Sequence, residues 1–201
     1  MGDGCLGGID VLLCLVVRVG YSWGWRWFGA DGDERIDFFF GVMIDPDVLS
    51  KIFERNYWVI CRQVDGLTHE DSVLQLPFRG NCMNWVVGHI VQSRDWVLTT
   101  LGLEAQLSEA EAALYKPGSE PITDGKTAVS FERLLALLQA SQEKILATLE
   151  DCTKEEMDVV VNEERGTTMG ERLEFSAWHE AYHTGQLEIL RQLAGTNDAV
   201  I

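Results

Sequence analysis

Two histidines one helical turn apart are the residues of this chain best placed to do chemistry. The sequence has only four histidines, and two of them begin and end the stretch 179–183 (HEAYH). On a helix with about 100° per residue, positions i and i+4 lie about 40° apart on one face, so both imidazoles can reach a single divalent ion. The spacing of His179 and His183 therefore predicts part of a metal site, with a satisfied structural pair as the alternative.

His89 is the candidate for a third ligand, and it comes from an earlier helical segment. A catalytic metal site needs three protein ligands and an open position, and helix bundles build such sites from side chains on facing helices. Three residues flank His89 at helical spacing, namely Trp85, Ser93 and Trp96. We expect Ser93 either to touch the site or to make a bond between helices, and the two tryptophans to pack in the core or to line a pocket.

The stretch 179–183 also matches H-E-x-x-H, the zinc peptidase signature, in which Glu180 would be the general base. The expected context is missing, because Gly185 falls one residue early and Ile189 stands where a further histidine is required. The alternative for Glu180 is a salt link or a bond to a histidine ring. Gln186 lies seven residues after His179, so we expect its amide to bond either a ligand on the metal or a neighbouring helix.

Helical segments must position these residues. From residue 43 onward, apolar residues recur at three- and four-residue steps in four long stretches, over about 46–65, 82–101, 127–149 and 168–194. Asp45 and Asn81 are the expected caps of the first two, and Thr168 with Glu171 forms a capping box for the last. The pattern predicts an all-α fold, an antiparallel four-helix bundle.

The first 42 residues differ from the rest. They hold nine of the 19 glycines and three of the seven tryptophans, with no sustained helical or strand period. We expect a poorly structured N-terminal extension over 1–42, either a mis-assigned start or a loose appendage, followed by the bundle domain over 43–201. The alternative is an aromatic-rich arm that packs on the domain or on a partner.

Charge and cysteine content limit the partners. Acidic residues outnumber basic ones 32 to 16, which gives a net charge of −16. Nucleic acids and anionic membranes are bound largely through Lys and Arg, so we expect neither as a partner. The five cysteines are widely spaced and odd in number, which favours reduced thiols in a cytoplasmic protein.

Two motifs together resemble those of the DinB/YfiT-like superfamily. They are NWVVGHI at 84–90 and HEAYHTGQL at 179–187, the latter followed by LRQLAG at 190–195. The resemblance covers about 43–195 and implies an up-down-down-up four-helix bundle, often a homodimer. It also implies one divalent metal, zinc or nickel, held by His89, His179 and His183. Residues 1–42 have no counterpart in the family.

The resemblance implies the reaction only loosely. Family members include transferases and isomerases that use a low-molecular-weight thiol, and hydrolases. We therefore expect metal-dependent transfer or hydrolysis on a small-molecule substrate, with such a thiol as a candidate co-substrate. The alternatives are a non-enzymatic binding or stress-response module whose metal is structural or absent, and the H-E-x-x-H zinc metallopeptidase.

Overall fold

The protein was analysed as a computed structural model, which describes residues 14–19, 22–28, 35–39, 44–196 and 198. The chain divides into two units, Met1–Met43 and Ile44–Ile201. Each unit is described by itself.

The first unit contains three strands, β1 (Cys14–Val19), β2 (Ser22–Phe28) and β3 (Arg35–Phe39). They pair antiparallel in the order β1-β2-β3, with Val16 opposite Trp25 and Trp25 opposite Phe38. These strands were not predicted, since the sequence of this segment has no sustained strand period. The alternation of apolar and polar residues that is typical of strands is not visible here, because aromatic and β-branched residues, which favour strands, occupy neighbouring positions. Met43, the predicted domain start, lies outside the described residues.

Four long helices make up the second unit, and they are α1 (Pro46–Val64), α3 (Met83–Thr100), α5 (Phe131–Asp151) and α7 (Met169–Leu193). Each packs against two of the others, in the closed order α1, α7, α3, α5. The all-α bundle predicted from helical periodicity is confirmed. A helix of this bundle with one side facing solvent is amphipathic. Helix α3 is buried almost all round and is apolar on most sides.

Contacts between the helices give their directions. Asn56 of α1 donates to the carbonyl of Ala177, and Arg191, further along α7, donates to the carbonyl of Gln63. Helices α1 and α7 are therefore parallel.

Helices α3 and α5 are also parallel. Asn84 donates to the carbonyl of Val129 just before α5, and Arg94, ten residues later in α3, donates to the carbonyl of Leu138. Ser93 lies beside His179, while His89, one turn earlier in α3, lies beside His183, one turn later in α7, so these two helices are antiparallel and the topology is up-down-down-up. Parallel neighbours need a long connection, which residues 101–130 provide.

Local sequence sets most helix starts. Asp45 caps α1 by accepting from the Asp47 amide, and Thr168 with Glu171 forms the predicted capping box of α7. The predicted Asn81 cap was wrong, since α3 begins after Cys82, which makes no side-chain cap bond. Helix α5 begins later than predicted, because Ser130 accepts from the Arg133 amide and fixes the first turn there.

Short elements occupy the connections. Helix α2 (His69–Ser72) and helix α6 (Lys154–Met157) were not predicted, and α4 (Glu109–Tyr115) begins at a capping box of Ser108 and Glu111. Strands β4 (Val160–Asn162) and β5 (Thr167–Thr168) form a small antiparallel ladder before α7.

The apolar core lies between the four long helices in two adjoining clusters. One includes Ile60, Val87 and Leu134, and the other includes Phe53, Leu98 and Ile145. Among the described residues, no helix combines the length and the apolar character needed to cross a membrane.

Candidate metal centre

Three imidazole rings converge between α3 and α7. The Nε2 atom of His179 lies 3.4 Å from Nε2 of His89 and 3.1 Å from Nε2 of His183. One ligand nitrogen from each ring lies within 4.8 Å of the other two. The expectation that His89 reaches the pair on the last helix is confirmed.

The nitrogen spacing fits a small divalent ion. A tetrahedral ion with nitrogen ligands at about 2.0–2.1 Å sets neighbouring nitrogens about 3.3–3.4 Å apart. The observed separations of 3.1 and 3.4 Å bracket that value. The donor set is compatible with metal binding, because imidazole nitrogen suits zinc, nickel and copper.

Hydrogen bonds fix the tautomers of two rings so that their lone pairs face inward. Nδ1 of His89 donates to the carbonyl of Tyr115 at 2.7 Å, and Nδ1 of His183 donates to the amide oxygen of Gln186 at 2.8 Å. Each Nδ1 therefore carries the proton, and each Nε2 presents a lone pair to the centre. Such bonds orient ligand imidazoles and raise their basicity.

Burial keeps the three rings neutral at physiological pH. Desolvation lowers the pKa of His89 and of His179, and the nearby His89 ring lowers that of His179 further. Desolvation also lowers the pKa of His183 to about 4, although the hydrogen bond that His183 donates to Gln186 opposes the shift. Neutral imidazole is the form that binds a metal, so no proton has to be released from these rings on binding.

One wall of the centre is built on Gly88 and Tyr115. The Tyr115 side chain is fully buried, and its hydroxyl donates to Asn84 and accepts from the Val129 amide. A Cβ at Gly88 would collide with the Tyr115 ring, so only glycine allows α4 to approach α3 this closely. The Tyr115 carbonyl then reaches His89. Sequence analysis missed Tyr115, because a backbone carbonyl leaves no residue-type signal.

Trp85 supports the His89 ring from the side. The two rings are stacked, with centroids 4.8 Å apart and planes inclined by 15°, and the indole N–H donates to the Ser119 hydroxyl. Only 7% of Trp85 is exposed. Trp85 therefore packs against a candidate ligand as part of the core.

Glu180 pairs with Arg94. Its two oxygens lie 2.6 and 3.0 Å from Nε and Nη2 of Arg94, and the two side chains are 2% and 1% exposed. A general base needs a carboxylate oxygen free to face the substrate, and neither oxygen is free here. The arrangement favours the salt link and argues against the peptidase hypothesis. Arg94 was missed as the partner because it lies 86 residues away.

The other predicted site residues take different positions. The Ser93 hydroxyl lies 3.5 Å from Nδ1 of His179, at the outer limit of a hydrogen bond. Trp96 is 48% exposed, so it is not a core residue. Cys82 is buried, its thiol donates to the Ile122 carbonyl, and burial raises its pKa, all of which favour an inert thiol.

The fourth histidine, His69, is held by two hydrogen bonds with backbone groups. Its Nδ1 accepts from the Phe131 amide, and its Nε2 donates to the Gly125 carbonyl. His69 therefore joins α2 to the start of α5 and lies outside the three-histidine group.

Comparisons with known proteins agree with this architecture. The family model described as DinB superfamily matches residues 63–187. A crystal structure of a conserved protein from Enterococcus faecalis has a TM-score of 0.57 and 16% sequence identity, covering 75% of this chain and 97% of that one. At this identity the likeness concerns the fold alone. The search of curated proteins found no match.

Proposed function

This chain belongs to the DinB superfamily, and from that premise we propose that it is a metal-dependent enzyme acting on a small molecule by transfer or hydrolysis. His89, His179 and His183 would hold one divalent transition ion, zinc or nickel. An ion bound there would supply Lewis-acid chemistry, which would activate water or a low-molecular-weight thiol as a nucleophile.

The observation that carries the proposal is the number of ligands. Among the described residues, the group within ligand distance consists of three histidines. Structural zinc sites close the coordination sphere with four protein ligands, whereas catalytic sites keep three and leave a position for substrate. Three ligands therefore favour an enzyme over a module with a structural metal.

The surrounding residues preorganise this centre. The Tyr115 carbonyl and the Gln186 amide hold two imidazoles with their lone pairs inward. The Arg94–Glu180 ion pair joins α3 to α7 directly beside the ligands, since Glu180 follows His179 in the chain, and it fixes the distance between the helices. Ligand rings held in this way need no rearrangement when the ion binds.

Compartment and co-substrate are further parts of the proposal. Cys61, Cys82 and Cys152 are free thiols in the described part of the chain, which supports a reducing cytoplasm. A bound ion that stabilises the thiolate form of a low-molecular-weight thiol would suit transfer to or from that thiol.

Elemental analysis of the full chain tests the metal site. We expect one ion per chain in the wild type and none in His89→Ala or His183→Ala. His69→Gln is the matched control, because it replaces the remaining described histidine outside the group and should keep one ion per chain. Equal metal content in all four proteins would refute the ligand assignment.

Cobalt substitution tests the open position. Addition of a small thiol, or of azide, should change the visible absorption spectrum of the cobalt-loaded protein. If no added ligand changes the spectrum and a chelator unfolds the protein, the metal is structural and the enzyme proposal fails.

A further inference from the structure

Three exposed aromatic side chains border the metal centre on α7. Phe175, Trp178 and Tyr182 are 56%, 58% and 57% exposed. Together they form what we call the aromatic rim. A contiguous row of exposed rings is typical of a surface that binds a ligand or a partner.

The rim contacts the ligand rings themselves. Phe175 lies nearly parallel to His179, with centroids 6.0 Å apart and an interplanar angle of 14°. Tyr182 meets His183 edge-on, with centroids 5.1 Å apart. Trp178 bridges the two, at 5.7 Å from Phe175 and 6.3 Å from Tyr182. A group that covered the rim would therefore lie beside the metal ligands.

An aromatic residue of α3 lies at the same level. Ser93 contacts His179, and Trp96 follows Ser93 by about one turn, while Phe175 precedes His179 by about one turn. Because α3 and α7 are antiparallel, Trp96 and Phe175 flank the same end of the groove between these helices. This end adjoins His179, the least buried of the three histidines.

The size of the rim suits a small molecule. From Phe175 to Tyr182 the helix rises about 10 Å, which is the length of one or two rings. The next exposed apolar residue on this face, Ile189, is about 10 Å further along α7, beyond Gly185. A stable interface between proteins buries about 800 Å² on each partner, far more than three rings offer.

We propose that the substrate carries a flat aromatic group that stacks on Phe175, Trp178 and Tyr182 while its polar group faces the three histidines. This inference rests on the proposed function and adds the substrate class to it. Stacked aromatic pairs stabilise binding by more than the burial of their apolar area provides. The aromatic rim should therefore select aromatic molecules over aliphatic molecules that carry the same polar group.

The test compares two hydroxamates on the zinc-loaded full chain by titration calorimetry. Benzohydroxamate and acetohydroxamate present the same metal-binding group and differ in the aromatic ring. We expect benzohydroxamate to bind about three- to tenfold more tightly. Phe175→Leu should bring that ratio close to one, and Phe175→Tyr should retain it. Phe78→Leu is the matched control, since Phe78 is 63% exposed in the connection before α3.

The outcomes separate the two proposals. If both hydroxamates bind equally tightly to the wild type, the aromatic rim has no part in substrate selection and this inference is wrong, while the open metal site stands. If the ratio falls equally in Phe175→Leu and Phe78→Leu, the preference does not arise at the rim and the inference is again wrong. If zinc is bound but neither hydroxamate binds, the open coordination position is absent and the proposed function fails with it. If Phe175→Leu instead converts a dimer to a monomer without changing the ratio, the rim is a contact between copies.

Discussion

The buried ion pair between α3 and α7 allows the sharpest test of the packing around the metal centre. Replacing Arg94 with methionine keeps much of the side-chain length and removes the charge. Arg94 makes two bonds to Glu180 and two to α5, at the carbonyl of Leu138 and the hydroxyl of Ser141. The variant removes all four bonds and leaves the Glu180 carboxylate in the interior.

The size of the effect follows from the burial of both partners. At 1% and 2% exposure, water cannot replace the lost partner of the carboxylate. Removing one member of a buried pair costs about 3–5 kcal/mol. For a domain of this size, each kcal/mol of lost stability lowers the melting temperature by about 2–4 °C. The melting temperature of the variant should therefore fall by roughly 6–20 °C.

Urea unfolding followed by circular dichroism measures the lost free energy of unfolding. Arg133→Met is the matched control, because Arg133 also makes two bonds to one carboxylate, Glu111, at 2.6 and 3.2 Å. That pair is 48% and 22% exposed, and exposed pairs contribute less than about 1 kcal/mol. The double variant Arg94→Met with Glu180→Leu should regain stability, since no charge stays buried. If Arg94→Met loses no more stability than Arg133→Met, our account of the buried pair is wrong.

Further predictions concern pH, two glycines and the N-terminal extension. In the metal-free protein, burial lowers the pKa of His183 from 6.5 to about 4, so between these values the unfolded chain binds more protons and stability should fall as pH is lowered. Unfolding free energies that stay constant over this range, measured with a chelator present, would contradict the burial. Gly88→Ala should destabilise the protein by about 1–3 kcal/mol and weaken zinc binding, because the added methyl displaces the Tyr115 ring. Gly185→Ala, a helical position with open space, should stabilise it by about 0.5–1 kcal/mol, and urea unfolding compares the two. If residues 1–42 are the loose appendage expected from the sequence, their deletion should leave the melting temperature within about 3 °C, and a larger loss would favour the alternative of an arm that packs on the domain.

The four long helices were predictable because local sequence determines them. The caps at Asp45 and Thr168 act within three residues, and the apolar stripes of α1 and α5 are visible in the sequence. Helices α2 and α6 were missed because four residues are too few for an apolar period. Their capping boxes at Thr68 and Thr153 were the available signal.

The candidate ligands were predictable for a related reason. His179 and His183 are joined by helical spacing, and His89 belongs to a motif that the family shares. The rest of the site depends on contacts between distant segments. The Tyr115 carbonyl reaches His89 from 26 residues away, and no residue type marks a carbonyl. Phe175 was missed because its importance depends on stacking against His179 while staying exposed, and sequence periodicity does not distinguish that from packing.

The stacking of Trp85 on His89 gives the protein a built-in optical reporter. The indole is 7% exposed and its centroid lies 4.8 Å from that of the imidazole. An ion with unpaired d electrons, such as Co²⁺ or Ni²⁺, quenches the emission of an indole at such short range, whereas Zn²⁺ with its filled d shell does not. The quenched part of the tryptophan emission therefore distinguishes an open-shell ion from Zn²⁺ during a titration without any attached dye.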